Sequence, residues 1–191
     1  MGKQNPELEK FADLLHQGTV ALFQERNPDI KIKTPVKTHN KIIEYKGKMR
    51  ADGMEKFNNR PTYVSAINYY ANKVEMEKKK ALGVVIVYVE PGYMAKMMKL
   101  LQYPPVDEED EDALQDSCGT LCNIVAGRYK SEISKAGYIE LEMSHFITSR
   151  NSVVPGVNFC FSEFDKYEIA FDLNGTKRLV LEISMGNVPK R

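Results

Sequence analysis

The segment from Leu82 to Val89 constrains the fold of this chain more than any other part, because it is apolar on both faces. A half-exposed strand carries polar side chains at every second position, whereas this segment reads Leu-Gly-Val-Val-Ile-Val-Tyr-Val. A strand of this kind must be covered on both sides, so we expect it in the centre of a sheet. The segment is also far too short to cross a lipid bilayer.

Length and composition favour one folded domain. The chain has 191 residues, of which 42% are hydrophobic and 28% charged, so we treat residues 1–191 as a single domain. The formal charge is +1, from 27 Lys and Arg against 26 Asp and Glu, and a nucleic-acid partner is therefore not expected. The low, odd number of cysteines and an N-terminus without an apolar segment predict a cytoplasmic protein with no membrane partner.

Hydrophobic periodicity predicts helices interspersed with mostly antiparallel strands, which is an α/β (α+β) architecture in layers. The predicted helices span residues 6–26, 93–102 and 111–135. The predicted strands span residues 30–36, 41–49, 63–70, 82–89, 138–147, 157–163, 167–173 and 178–184. Residues 50–60 are predicted to form a loop and residues 73–80 a solvated turn. The dipeptide Asn174-Gly175 is typical of a hairpin turn between the last two strands.

The predicted helix 111–135 has two very different faces. At ~100° per residue, one narrow stripe within roughly 40° of its first member contains only small and polar residues. These residues are Asp116, Thr120, Asn123, Gly127, Lys130 and Ser134. The opposite face is apolar and consists of Leu114, Cys118, Leu121, Val125 and Tyr129. We therefore expect the apolar face to pack on the sheet and the stripe to face solvent.

The composition of the stripe is unusual for an exposed helix face. Such faces are commonly filled with Glu, Lys and Arg, whereas this one has Thr, Asn and Gly at its centre. Asn and Gly each cost about 0.5–1 kcal/mol relative to Ala inside a helix, so their presence has either a functional or a structural reason. The alternative is structural: Gly127 permits close packing and Asn123 is merely tolerated.

Two neighbouring features have a functional and a structural interpretation. The acidic run from Asp107 to Asp112 suits the first turn of a helix, facing its positive dipole end. Metal binding by this run is the weaker alternative, because calcium loops use spaced ligands and a glycine. Cys118 and Cys122 have the spacing of a zinc pair, but they lie on the apolar face with no nearby His or Cys, which favours buried structural thiols.

The run Asp-Ser-Cys-Gly-Thr-Leu-Cys-Asn-Ile-Val-Ala-Gly, residues 116–127, resembles the signature helix of the CheC/CheX family of chemotaxis phosphatases. The family pattern is Asp or Ser, three residues, Glu, two residues and Asn, followed closely by Ala-Gly. Thr120 stands at the position of the Glu, and His145 stands at that of a downstream Pro. The resemblance is closest over residues 82–160, and residues 29–72 read as an elaborated N-terminal part of the same domain.

The resemblance implies a CheC-like layered fold and hydrolysis of the aspartyl phosphate of a CheY-type response regulator. It implies that Asn123 orients the attacking water, and that Asp116, Thr120, Gly127 and Lys130 contact the partner. The regulator supplies its own Mg²⁺, so this chain is expected to need no metal or cofactor of its own.

The replacement of the family's Glu leaves several outcomes open. Thr120 cannot form the ion pair with a regulator lysine that the Glu forms. Asp116, one turn earlier, is a substitute for it, or the protein is a weak phosphatase. The alternative is a non-catalytic module that binds a regulator or dimerises. Because related proteins often pair through sheet edges, a homodimer is a further hypothesis.

Overall fold

The structure is a computed structural model, and it describes residues 5–150 and 153–191. The helices in these ranges are α1 (Leu8–Arg26), α2 (Lys73–Glu77), α3 (Met94–Leu100) and α4 (Glu111–Lys135). The strands are β1 (Val36–Lys41), β2 (Glu44–Tyr45), β3 (Lys48–Asp52), β4 (Tyr63–Tyr70), β5 (Gly83–Val89), β6 (Glu142–Met143), β7 (Ile147–Arg150), β8 (Val153–Val157), β9 (Asp165–Leu173) and β10 (Thr176–Met185). Within the described ranges, no helix is long and apolar enough to span a membrane.

The strands form two antiparallel sheets. The larger sheet has the order β1-β9-β10-β5-β4-β6, with β7 also paired to β4, and the smaller sheet has the order β2-β3-β8. Strand β5 lies between β10 and β4 and is buried along its whole length. The predicted central position of this segment is therefore confirmed.

Two apolar cores explain why β5 lacks polar side chains. Its residues Val85, Val87 and Val89 join the core formed with α1, α3 and α4. Its alternate residues Val84, Ile86 and Tyr88 join a second core that includes Met49 and Ala51 of β3. The helices thus cover one face of the larger sheet and the smaller sheet covers the other, which gives the layered arrangement that the sequence predicts.

Helix α4 contacts strand β4 on its buried face and helix α1 along one side. The Tyr69 hydroxyl, fully buried in β4, donates a hydrogen bond to the Ala126 carbonyl at 2.8 Å. On the side of α1, Arg128 forms two hydrogen bonds to the Glu25 carboxylate, at 2.8 and 2.9 Å. A Cβ atom added at Gly18 of α1 would lie 3.1 Å from Glu132 of α4, so the two helices pack closely.

The acidic run caps α4. The Asp110 carboxylate accepts a hydrogen bond from the Ala113 amide at 3.0 Å, and Glu111 accepts one from the Tyr63 hydroxyl at 3.0 Å. Both carboxylates lie where the helix dipole favours negative charge. The described residues contain no group of three or more His, Cys, Asp or Glu arranged to hold a metal ion, so metal binding by this run has no structural support.

Several predicted elements between α1 and β4 are wrong. Residues 30–36 contribute a single bridge at Ile32, and the first strand begins at Val36. The predicted strand 41–49 is broken by a hairpin turn, in which Lys46 and Gly47 adopt φ values of 49° and 75°. Strand β3 extends three residues into the predicted loop, because it pairs with both β2 and β8. The predicted turn at residues 73–80 contains the short helix α2.

The region after α4 also differs from the prediction. The predicted strand 138–147 is replaced by the short strands β6 and β7, and the predicted strand 157–163 is wrong, because β8 ends at Val157 and residues 158–164 contain no strand. Strands this short gain little from their own sequence and depend on the partner they pair with. The Asn174-Gly175 hairpin is confirmed, since these residues have φ values of 54° and 94° and join β9 to β10.

Candidate functional site

The predicted polar stripe faces solvent along α4. Asp116 and Asn123 are exposed, whereas Thr120, Gly127 and Lys130 are partly exposed. The opposite face is buried in the helix-side core, as its apolar residues predict: Leu114, Cys118, Leu121, Val125 and Tyr129. We call Asp116, Thr120, Asn123, Gly127 and Lys130 the α4 stripe.

Asn123 occupies the middle of the stripe with its side chain unengaged. Within residues 5–150 and 153–191, no group hydrogen-bonds to its carboxamide. A carboxamide provides an acceptor oxygen and two donor hydrogens, so it can bind a water molecule and an anionic oxygen together. The carboxamide does not titrate, and this capacity is independent of pH.

The packing explanation for Gly127 is wrong. Apart from the backbone of its own helix and its chain neighbours, a Cβ atom at this position would meet no described atom within 4 Å. Since no side chain among the described residues packs against this position, the cost of the glycine in helix stability is not offset by the contacts seen there. A glycine at this place leaves the helix backbone open to close approach by another molecule.

Gly119, which the sequence analysis did not single out, is the glycine of α4 that packing requires. An added Cβ atom would lie 2.2 Å from the ring of Phe146. The ring therefore rests directly on the helix backbone, beside the stripe. Sequence periodicity could have placed Gly119 next to the stripe, but nothing local indicates that Phe146 covers it.

Strand β7 forms one border of the stripe. Alternate residues of the segment 146–150 meet residues of α4 that are four apart, so the strand runs antiparallel to the helix. The pairs are Phe146 with Gly119, Thr148 with Gln115, and Arg150 with Glu111. In the second pair, the Thr148 hydroxyl donates to the Gln115 carbonyl at 3.1 Å. With α1 on the other side, α4 is supported along both flanks and the stripe remains accessible between them.

The charges of the stripe lie toward its two ends. Lys130 pairs with Glu140 at 3.3 Å, but the Glu140 side chain is 76% exposed, so the pair contributes little to stability and can be exchanged for another partner. Asp116 is exposed one turn before Thr120. Thr120 itself is partly buried and carries no charge. Along the helix, the stripe therefore presents an acidic side chain, a central carboxamide and a cationic side chain, in that order.

The two cysteines of α4 are structural. Both side chains are fully buried in the helix-side core. Burial raises the pKa of Cys118 well above its ordinary value, and burial raises the pKa of Cys122 to about 12 against a smaller opposing effect of Ser65. Thiols protonated at neutral pH are poor nucleophiles and poor metal ligands. The interpretation of these residues as core thiols is confirmed.

Solved structures with the same architecture include CheC-like and chemotaxis proteins. A CheC-like superfamily protein from Shewanella sp. PV-4 superposes with a TM-score of 0.58 at 16% identity, covering 91% of this chain and 95% of that one. FliY from Thermotoga maritima superposes with a TM-score of 0.57 at 13% identity, covering 100% of this chain and 92% of that one. The chain therefore has the CheC-like fold, and the predicted resemblance and fold class are confirmed.

A third similar structure contains a partner. The matched chain of the CheX–CheY–BeF3–Mg²⁺ complex from Borrelia burgdorferi superposes with a TM-score of 0.53 at 11% identity, covering 93% of this chain and 98% of that one. No protein-family model and no curated protein matches the sequence. At these identities the comparisons define the fold of the chain.

Proposed function

We propose that this protein is a CheX-like phosphatase that hydrolyses the aspartyl phosphate of a CheY-type response regulator. The observation that carries the proposal is Asn123, which is exposed at the centre of the α4 stripe and has no hydrogen-bond partner among the residues that the structure describes. The fold supports it, because similar folds occur in chemotaxis proteins, one of them in a complex with CheY, BeF3 and Mg²⁺. A cytoplasmic location is part of this proposal.

Asn123 would act by positioning a water molecule. Phosphoryl transfer depends on in-line geometry and charge neutralisation more than on covalent chemistry by the enzyme. The Asn123 carboxamide would accept a hydrogen bond from the attacking water and donate one to a phosphoryl oxygen. Ordering the water in line removes an entropic cost from the reaction. The regulator would contribute the aspartyl phosphate and Mg²⁺, so this chain would need no cofactor.

The rest of the stripe would dock the regulator. Gly127 leaves room for a partner backbone one turn after Asn123, because no described residue outside its own helix segment lies within 4 Å of its Cβ position. Asp116, one turn before Thr120, is the acidic residue of the stripe and would pair with a regulator lysine in place of the family's Glu. Lys130 would exchange its exposed pair with Glu140 for an acidic group on the regulator, and Thr120 would contact the partner between them.

A second candidate is a non-catalytic module that binds a regulator or a second copy of itself. The observation that favours it is Thr120, which is partly buried and cannot replace a carboxylate in an ion pair. In this case the stripe would bind a phosphorylated regulator without releasing phosphate. A homodimer could form through β1, which is an outer strand of the larger sheet.

The decisive experiment follows phosphoryl loss from purified, phosphorylated response regulators with and without this protein. Because Asn123 would position the attacking group, we expect Asn123→Ala to lower the acceleration about a hundredfold. Ser131→Ala is a matched control, since Ser131 is an exposed residue of α4 outside the stripe and should be silent. Equal acceleration by the wild type and Asn123→Ala would contradict the proposal.

The same assay separates the two candidates. Regulator binding without phosphate release by the wild type would favour the non-catalytic module, and activity gained in Thr120→Glu would show that the missing carboxylate is the reason. Loss of activity in Asp116→Asn would support Asp116 as the docking acid. Sedimentation equilibrium tests the homodimer, and a monomer at all concentrations would rule it out.

A further inference from the structure

Large exposed apolar side chains are concentrated on one part of the surface. Tyr45 is 68% exposed on β2 and Ile43 is 53% exposed just before it, while Phe161 and Phe164 are 70% and 49% exposed in the loop before β9. Single exposed apolar residues are common, whereas a group of this kind marks a binding surface. This group lies on the side of the smaller sheet, and the larger sheet separates it from the α4 stripe.

The two segments are joined, so these residues form one surface. The Ile42 amide donates a hydrogen bond to the Phe164 carbonyl at 2.9 Å. The Phe161 ring lies 3.7 Å from the Cβ position of Gly47, at the tip of the β2–β3 hairpin. Phe159 and Phe161 are in ring contact, with centroids 5.1 Å apart. Between them is a pocket of about 300 Å³, which we call the aromatic pocket. Its lining residues are Ile42, Glu44, Phe159, Phe161, Glu163 and Phe164.

The charge of the aromatic pocket is negative. Both of its ionisable residues, Glu44 and Glu163, are carboxylates, and among the described residues no lysine or arginine lines it. Glu163 is only 4% exposed, and its Oε2 atom is buried without a hydrogen-bond partner. Burial raises the pKa of Glu163, as expected for a carboxylate that lacks a cation. The Oε1 atom accepts a hydrogen bond from the Ser162 hydroxyl at 3.4 Å, but this donor carries no charge, and a buried carboxylate without a cation is costly.

We propose that the aromatic pocket binds an arginine or lysine side chain of a protein partner. Aromatic rings attract a cation over their faces, and the carboxylates supply the opposite charge. The pocket volume of about 300 Å³ is at the lower end of the range for ligand sites, which suits one side chain rather than a large ligand. Exposed aromatic residues around a central anchor are also typical of protein interfaces. This proposal is independent of the function assigned to the α4 stripe.

The test compares two capped tripeptides, Ac-Gly-Arg-Gly-NH₂ and its citrulline counterpart, which has nearly the same shape without the charge. Each is titrated into the ¹⁵N-labelled full chain and followed by NMR. We expect shifts at residues of the aromatic pocket with the arginine peptide, and about tenfold weaker binding of the citrulline peptide, because a desolvated cation–π contact is lost. Equal affinities, or shifts confined to other surfaces, would overturn the proposal. So would tighter binding of free spermidine, which would make a small amine the ligand.

Two variants and a control assign the binding to the pocket. Glu163→Gln removes the charge and keeps the shape, and we expect it to weaken the arginine peptide about tenfold with no effect on the citrulline peptide. Phe161→Ala removes one wall at a residue that is 70% exposed, so the fold is preserved. Val74→Ala changes an exposed apolar residue of α2 outside the pocket and should be silent. Unchanged binding in both pocket variants would refute the inference, whatever the phosphatase assay shows.

Discussion

Two glycines of α4 provide a matched test of the site geometry. Replacing either by alanine adds one methyl group to the same helix, and the intrinsic gain in helix propensity is about 1 kcal/mol in both cases. The structure predicts opposite outcomes. At Gly127 the new methyl meets no described atom within 4 Å beyond its own helix segment, whereas at Gly119 it would lie 2.2, 2.4 and 2.6 Å from three atoms of the Phe146 ring.

The expected magnitudes follow from these contacts. Gly127→Ala should raise the free energy of unfolding by about 1 kcal/mol, because the propensity gain is unopposed. In Gly119→Ala, the ring of Phe146 must move, and overpacking of this kind costs about 1–3 kcal/mol, so the net change is a loss of about 0–2 kcal/mol. The two variants should therefore differ by about 1–3 kcal/mol. For a chain of this length that is a difference of about 2–12 °C in melting temperature.

Chemical denaturation and thermal melts of both variants measure this difference. A double variant tests its cause: in a Phe146→Ala background, Gly119→Ala should become stabilising, because the ring that opposes the methyl is absent. Equal effects of the two single variants, or an unchanged effect of Gly119→Ala without the ring, would refute the packing of Phe146 on α4. In the phosphatase assay, Gly127→Ala should weaken regulator docking although it stabilises the fold.

Three further predictions concern the buried chemistry of the fold. Native protein should react rapidly with a thiol reagent at Cys160 alone, and Cys118 and Cys122 should react only after denaturation, because they are fully buried; rapid labelling of all the thiols in the native state would contradict this. Lys56→Met should lower the free energy of unfolding by about 3 kcal/mol in urea denaturation, because it takes a cation from the buried Glu182 carboxylate 2.7 Å away; a loss of less than about 1 kcal/mol would show that the pair is dispensable. Burial by itself would raise the pKa of Glu182, but its lysine partners lower it overall, so the stability it contributes is present at neutral pH and should be lost as the pH falls below about 4.5. In Glu182→Gln, the free energy of unfolding should therefore fall less steeply as the pH is lowered.

The long elements and the stripe could be predicted from the sequence. The bounds of α4 and β4 are those that the hydrophobic pattern indicates, and the hairpin at Asn174-Gly175 follows from local turn chemistry. The position of β5 follows from its apolar faces alone. The exposure of Asp116 and Asn123 is also a matter of periodicity, because an amphipathic helix has one way to bury its apolar side.

Short strands and contacts between distant segments depended on the tertiary structure. The pattern of residues 41–49 is compatible with one strand, but Lys46 and Gly47 form a turn because β3 pairs with both β2 and β8. Phe146, just before β7, covers Gly119 of α4. The two residues lie in different parts of the chain, so no local sequence pattern predicts this contact.

The buried charges show the limit of local patterns most clearly. Glu182 is fully buried in β10, where an apolar residue would be expected, and it is accepted because Lys56 and Lys166 each reach its carboxylate at 2.7 Å and the Tyr88 hydroxyl donates to it at 2.5 Å. These partners come from the loop after β3 and from the strands β9 and β5. Periodicity alone determined which residues of a long helix face solvent, since that depends on the helix itself. Only the tertiary structure decided which distant side chains neutralise a buried charge, since that depends on how the chain brings them together.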